Sequence, residues 1–331
     1  MKICVAQTKS HKGNIKINIQ NHLNYIESAS KYDADLIVFP ELSITSYEPN
    51  LAEQLAANLE DVVFDVFQIA AENFQMTICV GMPLKTVDGI TISMLVFQPN
   101  QPRISYAKQM LHEDELPFFV EGKEQVYLDV KGKKIAIGIC YETLQKQHVE
   151  NAISNGANIY LASVAKSKSG IEKANNYFRS IANQYSTPIL MSNSVGFCDN
   201  FLSYGNSGVW SKKGNLLAQL NENNEGFIVF DTDKNEVEIN QTNIVKGDIE
   251  DVDTIFQIYR NAKKSLDEKG IFQWTDNYPR KEIIARDLLN DDLYVLVNHG
   301  EIIGAVAVNE EQDTEYGSVN WEFENAKVLV I

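Results

Sequence analysis

Three residues in this 331-residue chain are of types and in positions that could do chemistry together: Glu41, Lys108 and Cys140. Cys140 follows the apolar run Ile135-Ala136-Ile137-Gly138-Ile139, so its thiol belongs at the C-terminal end of a buried strand, where α/β sheets place their chemistry. Glu41 closes Leu36-Ile37-Val38-Phe39-Pro40-Glu41, and Lys108 closes Ile104-Ser105-Tyr106-Ala107-Lys108. A carboxylate can take the proton from a thiol, the thiolate can attack a carbonyl or nitrile carbon, and a fixed ammonium can hold the resulting oxyanion. The backbone N–H of Tyr141, at the turn after the strand, is a candidate second donor to that oxygen. Such a set expels ammonia or an amine and lets water cleave the thioester, with no histidine, metal or organic cofactor. Taken singly, each residue has an ordinary reading: a cysteine ending an apolar strand is commonly an inert core thiol, and a glutamate after proline a solvated turn residue.

The elements that must position these residues are legible as short β-branched runs alternating with longer stretches of helical period from residue 1 to about 245, the pattern of a layered α/β domain. Strands are expected at Ile3-Ala6, Leu36-Phe39, Ile78-Gly81, Ile92-Phe97, Ile104-Tyr106, Ile135-Ile139, Ile159-Ala162, Ile189-Ser192, Gly208-Trp210 and Phe227-Asp231. Helices are expected over Gly13-Ala34, over Leu51-Asn73 with Val62, Val63, Val66 and Ile69 on its apolar face, over His148-Asn155 and over Glu172-Tyr185.

Composition narrows the function. A net charge of −16 argues against a nucleic-acid backbone as ligand, which requires clustered Lys and Arg. Cys4, Cys79, Cys140 and Cys198 are widely spaced, with neither a disulfide framework nor zinc-ligand spacing. Cys4 and Cys79 read as core, and Cys198 as part of a polar loop. No apolar run approaches the roughly 20 residues that span a bilayer, and the N-terminus enters a core strand directly. A cytoplasmic location with no membrane partner is the expectation.

The motifs around the three residues resemble those of the nitrilase superfamily of carbon-nitrogen hydrolases. Phe39-Pro40-Glu41-Leu42 with Tyr47 is similar to its glutamate motif. Tyr106-Ala107-Lys108-Gln109-Met110-Leu111, leading to Glu115 and Phe119-Val120-Glu121-Gly122, is similar to its lysine motif, and Gly138-Ile139-Cys140-Tyr141-Glu142 to its cysteine motif. The resemblance extends through Arg179-Asn183, Ser192-Gly196 and Gly205-Ser207. It implies a four-layer αββα sandwich over residues 1–245, with Glu41 as general base, Lys108 as oxyanion stabiliser, Cys140 as nucleophile and Glu115 orienting Lys108 or the substrate. It further implies substrate-pocket positions at Tyr47, Tyr141, Glu142, Ser163 and Ala165, an amidase acting on a small amide, and assembly into a homodimer or larger oligomer. After Glu142 the chain departs from the family pattern with Thr143-Leu144-Gln145-Lys146-Gln147, which bears on substrate rather than on catalysis. A nitrilase or an N-carbamoyl amine hydrolase would use the same triad, and a non-catalytic amide sensor or scaffold is the rival of another class.

Beyond about Val245 the character changes. Residues 246–331 hold 18 acidic against nine basic residues and so carry −9 of the −16. Asp248 is placed to cap a helix with Val252, Ile255, Phe256, Tyr259, Ala262 and Leu266 as its stripe, and Gly270 to end it. Pro279 suits the first turn of a second helix carrying Ile283, Ile284, Leu288 and Leu289. A hairpin from Tyr294-Val297 to Ile302-Val308 follows, turning at Asn298-His299-Gly300-Glu301, and Lys327-Ile331 reads as a strand. Ser265-Trp274 and Gly300-Gly304 resemble the N-terminal half of a GNAT-type acetyltransferase. The resemblance stops before the glycine-rich turn that would hold the acetyl-CoA pyrophosphate, so acetyl transfer by these residues is not expected.

Overall fold

The computed structural model describes residues 1–272, 274–275, 278–298 and 301–310. The chain falls into two compact units that part between Gln241 and Thr242.

The first unit is built on two sheets. Its strands in chain order are β1 (Lys2–Gln7), β2 (Leu36–Val38), β3 (Thr77–Lys85), β4 (Ile90–Phe97), β5 (Ile104–Ala107), β6 (Tyr127–Val130), β7 (Lys133–Ile139) and β8 (Ile159–Val164). They continue with β9 (Ile189–Asn193), β10 (Val195–Cys198), β11 (Phe201–Tyr204), β12 (Gly208–Trp210), β13 (Leu216–Gln219), β14 (Gly226–Asp231) and β15 (Glu236–Gln241). One sheet runs β15-β14-β1-β2-β3-β4-β5 and the other β13-β12-β9-β8-β7-β6, while β10 and β11 form a separate hairpin. Within each sheet the central strands are parallel: β1 with β2 and β2 with β3, β7 with β8 and β8 with β9. Their C-terminal ends therefore open on the same side of each sheet, which is where Glu41 and Cys140 emerge.

Alternation along the strands sorts the side chains into three cores. Ile3, Val5, Leu36 and Val38 meet Ile135, Ile137, Ile139 and Leu161 between the sheets. The intervening Cys4, Ala6 and Ile37 turn outward, with Phe39, to pack under helices α1 (Ile15–Ser30) and α3 (Asp65–Phe74), through Ile26 and Phe67. On the far side, Ala136, Tyr160 and Ala162 pack against Val149 and Phe178 from α4 (Lys146–Ser154) and α5 (Lys168–Tyr185). The strands are buried on both faces, which is why they read as continuous apolar runs. The result is the four-layer αββα sandwich. Each fully buried Ile, Leu or Val contributes roughly 1.5–3 kcal/mol.

The second expected helix is not continuous. A short helix, α2 (Ala52–Leu55), ends at Ala56, Ala57 bridges to Leu84, and Asp61 caps a new turn by accepting from Val63 N before α3 begins. The restart changes which face is buried: Phe64, Phe67, Ala70 and Ala71 enter the core, while Val62, Val63, Val66 and Ile69 are exposed. Apolar residues recur on both faces there, and the aromatic rings take the inside. Strands β6, β10, β11, β13 and β15 lack the long apolar runs of the central strands and went unread in the sequence. Cys4 and Cys79 are fully buried, and Cys198 is buried at the end of β10 rather than in an open loop.

The second unit contains β16 (Asn243–Lys246), α6 (Val252–Glu268), α7 (Lys281–Leu289), β17 (Leu293–Asn298) and β18 (Glu301–Ala307). The unit break precedes Val245 because β15 pairs with β14 in the first unit, whereas β16 pairs with β17. Asp248 caps the turn leading into α6. Pro279 lies before Arg280, the residue that precedes α7, and so outside the helix. Ile255, Ile284, Leu288, Leu293 and Val295 form the local core. The expected terminal strand Lys327-Ile331 and the hairpin turn at His299-Gly300 lie outside the described residues.

Candidate active site

The nucleophile candidate sits on a strained turn. Strand β7 ends at Ile139, and Cys140 then adopts a left-handed backbone with φ of 46° at the head of a 3-10 turn, Cys140–Leu144. A non-glycine residue held this way costs on the order of 1–3 kcal/mol and persists only when its surroundings enforce it. Here Thr143 Oγ1 donates to Cys140 O at 2.6 Å, Lys166 Nζ donates to the same carbonyl at 3.3 Å, and Ile139 N donates to Glu142 Oε1 at 2.7 Å. The turn aims the thiol toward the strand ends of the opposite sheet.

Lys108 is fully buried between two carboxylates. Its Nζ donates to Glu41 Oε1 at 2.8 Å and to Glu115 Oε1 at 2.6 Å. Tyr47 Oη donates to Glu115 Oε1 at 3.0 Å, and the backbone N of His112 donates to Glu115 Oε2 at 2.8 Å. Glu115 is therefore held from three sides and in turn fixes the ammonium. Two glycines let the loops close on these groups: a Cβ at Gly81 would lie 2.3 Å from Leu42 N, and one at Gly122 would lie 2.2 Å from Ala107 O. No other residue fits where the Glu41 and Lys108 backbones are pressed so closely.

The electrostatics suit proton transfer between carboxyl and thiol. Burial raises Glu41 above the ordinary carboxylate range against the opposing pull of Lys108. Its Oε1 is occupied by Lys108, whereas Oε2 is buried with no hydrogen-bond partner, and the Cys140 thiol is the acidic group beside it. Burial, with the Glu41 charge, pushes Cys140 up to about 11, against Lys166 and Lys108. Burial works against the Lys108 charge, but Glu41, Cys140 and Glu115 outweigh it and keep the ammonium protonated. A neutral thiol beside a basic carboxylate and a permanent cation is a set able to attack an electrophilic carbon and hold the oxygen that becomes negative.

The remaining predicted positions divide. Tyr47 reaches the cluster through Glu115. Ala165 offers its carbonyl to the Cys140 thiol at 3.6 Å and so borders the nucleophile. Tyr141 is partly exposed, with its ring 5.2 Å from that of His112. Glu142 does not line a pocket as expected. It is fully buried, with Oε1 accepting from Ile139 N and Tyr106 Oη, and Oε2 from Gln109 N at 2.6 Å and Met110 N at 3.2 Å. It ties the cysteine turn to the chain immediately after Lys108. Burial pushes Glu142 up to about 7 despite these donors. Tyr106 Oη also meets His148 Nε2, and His148 Nδ1 meets Tyr160 Oη, which completes a buried polar chain behind the turn. Ser163, expected in the substrate pocket, uses its hydroxyl structurally: its Oγ donates to Phe39 O at 2.8 Å and fastens β8 to the Glu41 loop across the sheets. The inward period of β8 carries this hydroxyl between the sheets, which the small size of the residue did not disclose.

Lys166 was not singled out in the sequence. It directly follows Ala165 at the end of β8, the parallel neighbour of β7, and that adjacency was the signal available. Its Nζ lies 3.8 Å from Cys140 Sγ. Among the described residues there is no cluster of His, Cys, Asp and Glu able to hold a metal ion, and no helix is long and apolar enough to cross a membrane.

The chain is 27% identical over 274 residues to a glutamine-dependent NAD(+) synthetase of Acinetobacter baylyi, an alignment covering 78% of this chain and 48% of that protein. A probable nitrilase of Schizosaccharomyces pombe is 22% identical over 66% of this chain and 84% of its own length. The chain thus spans about half the length of the synthetases it matches. The amidase of Nesterenkonia sp. AN1 shares the fold, with a TM-score of 0.64 at 20% identity over 69% of this chain and 89% of that one. The carbon-nitrogen hydrolase profile matches residues 2–239, nearly the whole first unit, and the chain belongs to that family.

Proposed function

We propose that the first unit is an amidase that cleaves the carbon-nitrogen bond of a small amide through a thioester on Cys140. The observation that carries this reading is Lys108, fully buried and hydrogen-bonded to Glu41 and Glu115 beside the Cys140 thiol. An ammonium held by two carboxylates next to a nucleophile is costly to bury and has no purely structural advantage over apolar packing.

In this mechanism the Cys140 thiol gives its proton to Glu41 as sulfur bonds to the amide carbon, and the carbonyl electron pair moves to oxygen. Lys108 and the Tyr141 backbone N–H hold that oxyanion. Collapse breaks the C–N bond, with Glu41 returning the proton to the departing nitrogen so that it leaves as ammonia. Water then attacks the thioester, loses its proton to Glu41, and expels the Cys140 thiolate, which recovers a proton as the carboxylic acid departs. Glu115 and Tyr47 keep Lys108 in place, and Glu142 keeps the cysteine turn registered on the Lys108 loop.

The relatives named glutamine-dependent make glutamine the first amide to try, and the Nesterenkonia amidase, which has been seen with butyramide, makes short aliphatic amides the second. Ammonia release from these, set against nitriles and N-carbamoyl amines, tests the reading. Turnover of nitriles or carbamoyl compounds alone would replace it. We further read the second unit as the start of a GNAT-like domain, supported by its order of two helices and a hairpin, and the whole as a homodimer. Calorimetry should then detect no acetyl-CoA binding by these residues, and light scattering should give the mass of two chains.

A further inference from the structure

The second lysine at the nucleophile has no part in the mechanism above. Lys166 is almost wholly buried, at 7% exposure. Its backbone is gripped on both sides: its N donates to Asn193 Oδ1 at 2.8 Å, while its carbonyl accepts from Tyr204 N at 2.9 Å and from Asn193 Nδ2 at 3.3 Å. From that anchor the side chain turns back to Cys140, where Nζ lies 3.3 Å from the carbonyl oxygen and 3.8 Å from Sγ. Among the described residues this ammonium makes no ion pair, in contrast to Lys108 with its two carboxylates.

The charged groups facing Cys140 are Glu41 from the end of β2, Lys108 from the end of β5, Glu115 from the loop that follows, and Lys166 from the end of β8. Glu142, on the same turn as the cysteine, is satisfied by backbone and tyrosine donors. Without Lys166, two negative charges face one ammonium whether the proton sits on sulfur, with Glu41 and Glu115 ionised, or on Glu41, with sulfur and Glu115 ionised. With Lys166, two ammonium groups balance them in either state, and the one nearest sulfur favours the charge being there. A buried ammonium with a donor left over and sulfur in reach favours the thiolate over the thiol.

We propose that Lys166 is a catalytic residue that stabilises negative charge on Cys140 Sγ, both as the thiol is deprotonated for attack and as the thiolate leaves the hydrolysed thioester. Lys108 then serves the oxygen and Lys166 the sulfur. This rests on Cys140 being the nucleophile, but its test does not require amide turnover.

The test is the rate of alkylation by iodoacetamide, and separately by iodoacetate, read at the Cys140 peptide by mass spectrometry across pH. Lys166→Met should slow iodoacetamide alkylation at neutral pH by about tenfold or more and move its rise to higher pH, whereas Lys166→Arg, which keeps the charge, should stay within about threefold of the unsubstituted chain. Lys168→Met, an exposed lysine two residues away, should leave the profile unchanged. The inference is overturned if Lys166→Met keeps the original rate and pH profile, if Lys166→Arg is as slow as Lys166→Met, or if Lys168→Met gives the same loss. It is also overturned if Lys166→Met loses only its preference for iodoacetate over iodoacetamide at an unchanged pH profile, which would assign the ammonium to a substrate carboxylate. Failure of amide hydrolysis with the alkylation pattern intact would count against the amidase reading and leave this one standing.

Discussion

The two carboxylate clusters that flank Cys140 are buried to the same degree and satisfied in opposite ways. In front, Glu41 and Glu115 share one ammonium, and Glu41 keeps an oxygen with no hydrogen-bond partner. Behind, Glu142 meets no lysine and fills its lone pairs with three backbone N–H groups and the Tyr106 hydroxyl. The difference separates chemistry from positioning. A carboxylate saturated by backbone donors cannot move a proton without breaking the structure it holds, whereas one with a spare oxygen beside a thiol can.

This contrast breaks most visibly at the nucleophile. Cys140→Ala should lower kcat on the order of 10^4-fold or more while leaving thermal stability near its original value, measured by ammonia release and a melting curve. In the front cluster, Lys108→Met should reduce kcat on the order of 10^2–10^3-fold, as expected for a lost oxyanion donor. It should also destabilise the fold by about 3–5 kcal/mol in chemical denaturation, because Glu41 and Glu115 are left buried without a countercharge. In the rear cluster, Glu142→Gln places an amide group against backbone N–H donors, and should cost about 1–3 kcal/mol of stability. Its effect on kcat should reach up to about 100-fold, as for a misplaced reacting group, with the pH profile of the surviving activity unchanged. A shifted profile would move Glu142 into the proton-transfer machinery.

The pH dependence sharpens the same division. Glu41 must be ionised to accept the thiol proton, and burial raises it, so kcat/KM should climb with pH and level off only above the ordinary glutamate value near about 4.3. An acid limb at or below that value would remove Glu41 as the base. The smallest effect is expected at Ser163→Ala, which loses the bond to Phe39 O and should cost about 1 kcal/mol with KM little changed. A large change in KM would return Ser163 to the substrate pocket.

The triad was legible because Glu41 and Cys140 follow apolar runs buried on both faces, Lys108 follows the short edge strand β5, and the residues around each are local to it in sequence. Three parallel-sheet strand ends, at Glu41, Cys140 and Ala165, could be placed before any contact was known. What was misread depended on direction. Glu142 is two residues from the nucleophile, yet the tight turn at Cys140 swings its carboxylate back under Ile139 N and across to the chain after Lys108. Ser163 points between the sheets, and the α3 region carries apolar residues on two faces, of which the phase of the helix selects one.

The sequence by itself determined the layered α/β class, the strand ends that bear the chemistry and the identity of a base, a cation and a thiol. Those properties follow from side-chain type and from hydrophobic period, which are local. Only the tertiary structure decided that Glu115 holds Lys108 together with Glu41, that Glu142 is a brace, and that Lys166 reaches the sulfur. Such facts join residues far apart along the chain through contacts of about 3–4 Å, where hydrogen bonds and short-range charge pairing operate, and no periodicity in the sequence encodes them.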